Sequence, residues 1–264
     1  MKKAILLVAF GTSASKAQRA FERIDAQAHH AFPGTDIRWA YTSRTIRSKL
    51  ARQGIFLDSP EVALAHLMDE AYTHVAVLSL HTIAGIEFHE LYRNAMLFAQ
   101  MSGGFERVAV ARPLLSSQSD IARVASALVQ RIPTERNPQD AVLFMGHGTR
   151  NHPADALYTA LNYVFQDLCP NVYVATVQGY PTLDDILPKI MNDSRQSSRV
   201  YLIPFMSVAG EHARKDMAGD EPDSWKSVLT RNGFRCEIIM NGTAEYPEIV
   251  EIWLDHLREI FSQL

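Results

Sequence analysis

Two histidines, His147 and His212, each stand just past an apolar run that glycine breaks. The first run is Ala141-Val-Leu-Phe-Met-Gly-His147-Gly-Thr149, and the second is Val200-Tyr-Leu-Ile-Pro-Phe-Met-Ser-Val-Ala-Gly-Glu-His212. Imidazole changes charge near neutral pH and is the commonest protein ligand of divalent metals. Ligands of open α/β sheets bind where strands end. Two imidazoles at two strand ends therefore suit metal handling coupled to proton transfer. Two imidazoles and one oxygen leave coordination positions open, as catalytic metal sites require. Donor type alone does not separate Co²⁺ from Fe²⁺, Ni²⁺ or Zn²⁺.

The elements that must position these residues alternate along the chain. Short β-rich apolar runs predict strands at 3–10, 36–42, 74–80, 107–112, 141–146, 172–178, 199–205 and 235–240. Helical patterns occupy 15–31, 59–72, 87–101, 117–131, 153–168, 182–195, 223–232 and 246–262. Ser59-Pro60-Glu61 is a helix start, with serine at the N-cap and proline in the first turn. Alternation of this kind predicts an α/β fold whose mostly parallel sheets are flanked by helices on both faces.

A length of 264 residues accommodates one large domain or two of about 130 residues. The formal net charge of −3 gives no basic field for nucleic acid. Cys169 and Cys236 form neither a CxxC motif nor a disulfide framework and read as buried free thiols. Met1-Lys-Lys before the apolar run Ala4–Phe10 resembles the start of a signal peptide, but Gly11-Thr12-Ser13 leads straight into a helical pattern. The run reads as a first buried strand. No run approaches the roughly 18 apolar residues of a membrane span. A cytoplasmic location is expected, or a periplasmic one if an export signal has been removed.

The two halves look duplicated. Ala9-Phe-Gly-Thr-Ser13 parallels Met145-Gly-His-Gly-Thr149, and His81-Thr-Ile-Ala-Gly85 parallels Met206-Ser-Val-Ala-Gly210, in the same order. The polar, proline-containing stretch Ile132–Gln139 reads as a linker. Two similar domains are expected, 1–134 and 135–264, facing each other across a cleft, with the last helix free to pack back on the N-terminal domain.

Phe144-Met-Gly-His-Gly148, Gly179-Tyr-Pro181, Val208-Ala-Gly-Glu-His-Ala213, Asp216-Met-Ala-Gly-Asp220 and Asp223-Ser-Trp225 together resemble the anaerobic cobalt chelatases of the CbiK type. These are sirohydrochlorin cobaltochelatases related to ferrochelatase. Ala9–Ser13 and Ser79-Leu-His81 extend the resemblance over essentially the whole chain. It implies two chelatase-type, Rossmann-like domains and insertion of Co²⁺ into sirohydrochlorin or a related precorrin in anaerobic cobalamin biosynthesis. It further implies that His147 and His212 fall on the family's metal-site histidines. Gln178 falls where members commonly carry glutamate, and a carboxamide offers only a neutral oxygen in that place.

Metal insertion removes two pyrrole N–H protons, bends the macrocycle and strips water from the ion. An imidazole serves as ligand or as base. His147 is expected to accept a proton and bind the metal, His212 to be the second ligand, and Gln178 a weak third contact. Glu211, Asp216, Asp220, Glu221 and Asp223 follow His212 closely, either as a solvated acidic loop or as a relay for cations and protons. A flat polycarboxylate needs apolar walls and donors at the rim. Phe10, Gly11, Thr12 and Ser13, then Thr42, Ser43 and Arg44, follow the first two strands and are candidates, as are Arg47, Arg150 and His81. His89, near Phe88, Leu91 and Met96, is either a helix-surface residue or an axial haem ligand at a subunit contact. His29, His30 and His152 read as surface residues.

Four other readings compete. One is a ferrochelatase acting on protoporphyrin or sirohydrochlorin. Another is a tetrapyrrole or haem carrier without turnover, which Gln178 favours and the paired histidines oppose. A metal chaperone would not need so long a two-domain chain. An NAD enzyme is disfavoured because no GxGxxG follows the first strand. The expected partners are a tetrapyrrole and a divalent metal, with no nucleic acid and no membrane span. The oligomeric state stays open, a homo-oligomer included.

Overall fold

The computed structural model describes residues 1–193 and 198–264, apart from the side chains of Ser15 and Lys16. It separates into two compact units: Met1–Leu114 with Val250–Leu264, and Leu115–Ile249.

Unit 1 runs β1 (Lys3–Ala9), α1 (Ser15–Ala31), β2 (Asp36–Tyr41), α2 (Arg44–Ala51), α3 (Pro60–Asp69), β3 (His74–Ser79), α4 (Ile86–Gln100) and β4 (Arg107–Val110). Its four strands pair in parallel in the order β2-β1-β3-β4. The central strand β1 is buried from Ala4 to Ala9. That is why its sequence is a continuous apolar run: helices cover both faces of a parallel sheet. On one face Leu6 and Val8 pack with Leu64 and Leu67 of α3 and Leu91 of α4.

Unit 2 runs α5 (Gln118–Val129), β5 (Ala141–Gly146), a 3₁₀ turn (Pro153–Asp155), α6 (Ala156–Leu168), β6 (Val172–Thr176), α7 (Leu183–Asp193) and β7 (Arg199–Phe205). A π turn (Ala213–Met217), α8 (Trp225–Arg231), β8 (Arg235–Ile238) and a second 3₁₀ turn (Thr243–Glu245) follow. The strands pair in parallel in the order β6-β5-β7-β8, the same permutation as in unit 1. Leu143 and Met145 pack with Leu202, Ile186 and Leu229 on one face. The edge strand β6 is not left bare, because buried Asn162 of α6 bonds both backbone groups of Val174, at 2.8 and 2.7 Å. The last helix, α9 (Pro247–Phe261), packs within unit 1 over most of its length. Phe261 meets Phe32 edge to face, and His256 Nδ1 lies 3.1 Å from the carbonyl of Arg112.

The duplication reaches the strand ends. Ala9 closes β1 and Gly146 closes β5. Phe10-Gly11-Thr12 and His147-Gly148-Thr149 follow, each with its glycine at positive φ (101° and 74°) and its threonine buried.

Several expectations are corrected. Residues 44–51, assigned to no element in the sequence, form α2, which Ser43 caps by accepting a hydrogen bond from the Ile46 amide. The strands expected to reach 112, 178 and 240 stop at Val110, Thr176 and Ile238. The helix expected over 153–168 opens as a 3₁₀ turn capped by His152. The helix expected to 195 is seen to Asp193, and Ser194 and Arg195 lie outside the described residues. Among the described residues no helix is long and apolar enough to cross a membrane.

Candidate functional site

In the order β6-β5-β7-β8, the connections from β5 and β7 leave in opposite directions, so a crevice opens beyond the carboxyl ends of these two adjacent strands. His147 is the first residue after β5. His212 stands on the connection after β7, at the start of the π turn. Fold topology thus brings together two residues 65 positions apart in sequence (212 − 147). Their rings meet edge to face, with centroids 4.9 Å apart at 71°.

Each imidazole is oriented through its Nδ1. His147 Nδ1 lies 2.8 Å from the Gly148 carbonyl, and His212 Nδ1 lies 2.5 Å from Asp216 Oδ2. A carbonyl oxygen only accepts, and an ionised carboxylate only accepts, so Nδ1 is the donor in both rings. Nε2 of each neutral ring is then the lone-pair nitrogen, free for a metal or a proton. The backing differs: a neutral carbonyl behind His147, a carboxylate behind His212. The second arrangement is an i,i+4 pair on the helical turn that follows β7. The turn that carries Asp216 is of the π type, with an i→i+5 bond from the Ala218 amide to the Ala213 carbonyl at 3.2 Å. Single π turns recur at functional sites.

Gly148 permits the close packing of the two loops. Its φ of 74° is costly for any side chain, and a Cβ there would sit 2.5 Å from the Gly179 amide nitrogen. The Gln178 amide donates to the His147 carbonyl at 2.9 Å. Gln178 therefore adjoins His147 through the backbone, while its exposed side chain lines a neighbouring cavity.

Asp155, overlooked in the sequence, ties the two loops. Its Oδ1 accepts from the Thr149 amide and its Oδ2 from the Tyr180 amide, both at 3.0 Å, and the residue is 5% exposed. Burial pushes its carboxyl above the ordinary value, although the two amides and nearby histidines oppose this. The acidic cluster after His212 is not uniform. Glu211 pairs with Lys215 at 2.7 Å, Asp220 pairs with Lys226 at 2.5 Å, and Asp216 alone of the three faces an imidazole. His152, read as a surface residue, is half-buried, and its Nδ1 accepts from the Ala154 amide at 3.2 Å. Among the described residues no group of three or more His, Cys, Asp and Glu side chains gathers to hold a metal. The strong donors are the two imidazoles.

The remaining candidates lie in unit 1. Phe10 is 55% exposed, and its carbonyl accepts from the Ser43 amide at 3.1 Å, which joins the ends of β1 and β2. Gly11 and Thr12 are buried, and Thr12 Oγ1 caps the chain by accepting from the Ala14 amide at 3.1 Å. Ser13 and Thr42 are half-buried, and Arg44 is exposed at the first position of α2. Arg47 is occupied structurally: its guanidinium donates to the carbonyls of Tyr41 and Thr42. His81 Nδ1 lies 2.5 Å from Ser79 Oγ beyond the end of β3. His89 is exposed in the first turn of α4, with its ring against Phe88.

Comparison with known proteins bears on this arrangement. The family model described as cobalt chelatase (CbiK) matches residues 3–262. The chain is 43% identical over 263 residues to the sirohydrochlorin cobaltochelatase CbiKC of Nitratidesulfovibrio vulgaris, covering 100% of this chain and 92% of that protein. It is 34% identical over 264 residues to the sirohydrochlorin cobaltochelatase of Salmonella typhimurium, covering 99% and 97%. Among solved structures, SirB from Bacillus subtilis with Fe³⁺ matches at a TM-score of 0.66 and 14% identity, covering 98% of this chain and 95% of that one, which shows a shared fold. A duplicated parallel α/β fold, paired imidazoles at one strand crevice and matches spanning the full length agree: the chain belongs to the cobalt chelatase (CbiK) family.

Proposed function

We propose that this protein inserts Co²⁺ into sirohydrochlorin in anaerobic cobalamin biosynthesis, releasing two pyrrole protons. One observation carries the site: two imidazoles in ring contact, each with Nδ1 engaged and Nε2 presented as a lone-pair nitrogen. The names of the two curated relatives support the metal and the macrocycle.

In this reading Co²⁺ arrives as a substrate and exchanges water for Nε2 of His147 and His212. Gln178 supplies a weak third contact through its neutral oxygen. The ion keeps open positions, into which the nitrogens of the bent macrocycle enter. Of the four new cobalt–nitrogen bonds, the two to N–H nitrogens each displace a proton. His147 takes one on Nε2 as its bond to the metal breaks and passes it to water, and the other leaves directly to water. Asp216 holds His212 in the tautomer that ligates. Transfer completes when both imidazoles have surrendered the ion, so two ligands that hold it loosely suit the reaction better than a closed four-ligand cage.

The test is anaerobic absorbance spectroscopy with sirohydrochlorin and Co²⁺, run beside a His147→Ala variant. The expected result is catalysed conversion to the cobalt chelate, lost in the variant. Binding of the macrocycle with no acceleration over the protein-free rate would replace this reading with a carrier. Faster conversion with Fe²⁺ than with Co²⁺ would replace it with a ferrochelatase.

A further inference from the structure

We infer that a cavity of about 890 Å³ beside Gln178 is the subsite for a carboxylate arm of the tetrapyrrole. The inference rests on the proposed chelatase reading and adds to it the part of unit 2 that grips the rim of the macrocycle.

The cavity is formed by the loop after β5, the start of α6 and the loop after β6. Its volume falls in the range of small-molecule pockets, about 300–1,000 Å³. Arg150 stands on its wall, exposed, and among the described residues its guanidinium makes no hydrogen bond or ion pair. Tyr163 and Tyr180 line it with large open faces, 69% and 57% exposed, although each is big enough to belong in a core. Gln178 adds a carboxamide with no hydrogen bond among the described residues.

The lining suits an anion. One carboxylate belongs to it, that of Asp155, and both of its oxygens are taken by the amides of Thr149 and Tyr180. A guanidinium offers a planar fork of donors that matches a carboxylate, and tyrosine hydroxyls and a carboxamide add further donors. The aromatic faces suit a flat ring bearing that anion. The position suits it too. Gln178 is joined to His147 by one backbone hydrogen bond, so a macrocycle centred on the paired imidazoles has its edge at this cavity. A free carboxylate offers the same group without the ring, and the ring is the source assigned here.

Steady-state kinetics of Arg150→Ala and Arg150→Lys test the assignment. In Arg150→Ala the KM for sirohydrochlorin should rise about tenfold, as expected for losing one charge-assisted contact. Its kcat and its KM for Co²⁺ should stay within about twofold of wild type, the pattern of lost uniform binding. Arg150→Lys should recover part of the loss, and Tyr163→Ala should show the same split. The macrocycle with methyl-esterified carboxylates should bind wild type and Arg150→Ala equally, and acetate should not compete at the level of the ring-borne arm. An unchanged KM for sirohydrochlorin, or equal damage to both substrates, overturns the subsite. If the wild-type protein binds sirohydrochlorin without turnover, the chelatase reading fails by itself. Absorbance titration then decides the subsite, which stands only if Arg150→Ala weakens binding. A wild-type protein that binds no tetrapyrrole overturns both.

Discussion

Asp155 is the point where a small change should cost both stability and chemistry. It carries no ligand role, yet its two oxygens hold the loop bearing His147 to the loop bearing Gln178, each through a backbone amide at 3.0 Å. Hydrogen bonds to a charged acceptor contribute about 1.5–3 kcal/mol apiece, and a buried amide left unpaired costs a similar amount. Part of this is already spent, because burial pushes the Asp155 carboxyl upward and so disfavours its charged form. The Tyr180 side of the tie is only part-buried, which softens the loss there. Asp155→Ala should therefore lose about 2–4 kcal/mol. Asp155→Asn keeps one acceptor but turns an NH₂ toward an amide donor, and should lose about 1–3 kcal/mol. Urea unfolding at neutral pH reads the first effect as a lower midpoint at unchanged slope. Turnover per folded molecule reads the second, with a fall of tenfold or more expected once the His147 loop drifts by about 1 Å. A variant that unfolds at the wild-type urea concentration and turns over normally would refute the idea that this carboxylate joins the two loops.

Three further outcomes follow from the geometry. Asp216→Asn should weaken Co²⁺ binding about tenfold, the low end for a residue that orients a ligand, because the His212–Asp216 pair is 38% and 43% exposed. Titration followed by cobalt absorption checks this, and wild-type affinity would remove Asp216 from the orientation of His212. Gln178→Glu should tighten Co²⁺ binding by about tenfold through a charged oxygen. Unchanged affinity and turnover would show that Gln178 does not contact the ion. In unit 1, Arg38 bonds Asp36 at 2.8 Å and Glu70 at 2.5 Å, and Tyr72 also donates to Asp36 at 2.5 Å. Burial pushes the Asp36 carboxyl up, but Tyr72 and Arg38 together outweigh it and hold it below its ordinary value. Arg38 likewise lowers Glu70. Depressed carboxylate pKa values stabilise the fold above the unfolded-state values, about 4, and that contribution is lost as pH falls through the folded ones. The gap in urea midpoint between wild type and Arg38→Ala should thus be full at neutral pH and close below about pH 4. A gap that widened in acid would contradict the assignment.

The fold was legible because buried parallel strands leave an unambiguous trace. Ala4-Ile-Leu-Leu-Val and Ala141-Val-Leu-Phe-Met have no polar face to confuse with a helix, and both proved central strands. The missed helix α2, Arg-Thr-Ile-Arg-Ser-Lys-Leu-Ala, has Ile46 and Leu50 at helical spacing, but it is only eight residues long and buries Leu50 alone, too short a stretch for its period to stand out. The paired histidines were legible from their strand-end positions. Their partners were less so. Asp216 lies four residues from His212, but four other acids share that stretch, and only a helical turn, which the sequence reading did not place there, selects among them. Asp155 reads as an ordinary first-turn acid of a helix. What makes it a tie is the approach of Tyr180, 25 positions away, which no local pattern encodes.

Duplication explains the fold, and divergence at one position explains why only one half carries the imidazole. Both units end their first strand with the same device: a glycine in the left-handed region and a buried threonine that fix where the preceding side chain points. That device does not specify chemistry. In unit 2 it presents His147, and the positive φ of Gly148 turns the next carbonyl back to within 2.8 Å of the ring, which settles which nitrogen carries the proton. In unit 1 it presents Phe10, a 55% exposed aromatic ring with no polar atom to orient. The same strand-end geometry thus presents a donor of electron pairs in one unit and an exposed aromatic ring in the other, and the difference lies in one side chain rather than in the backbone that holds it.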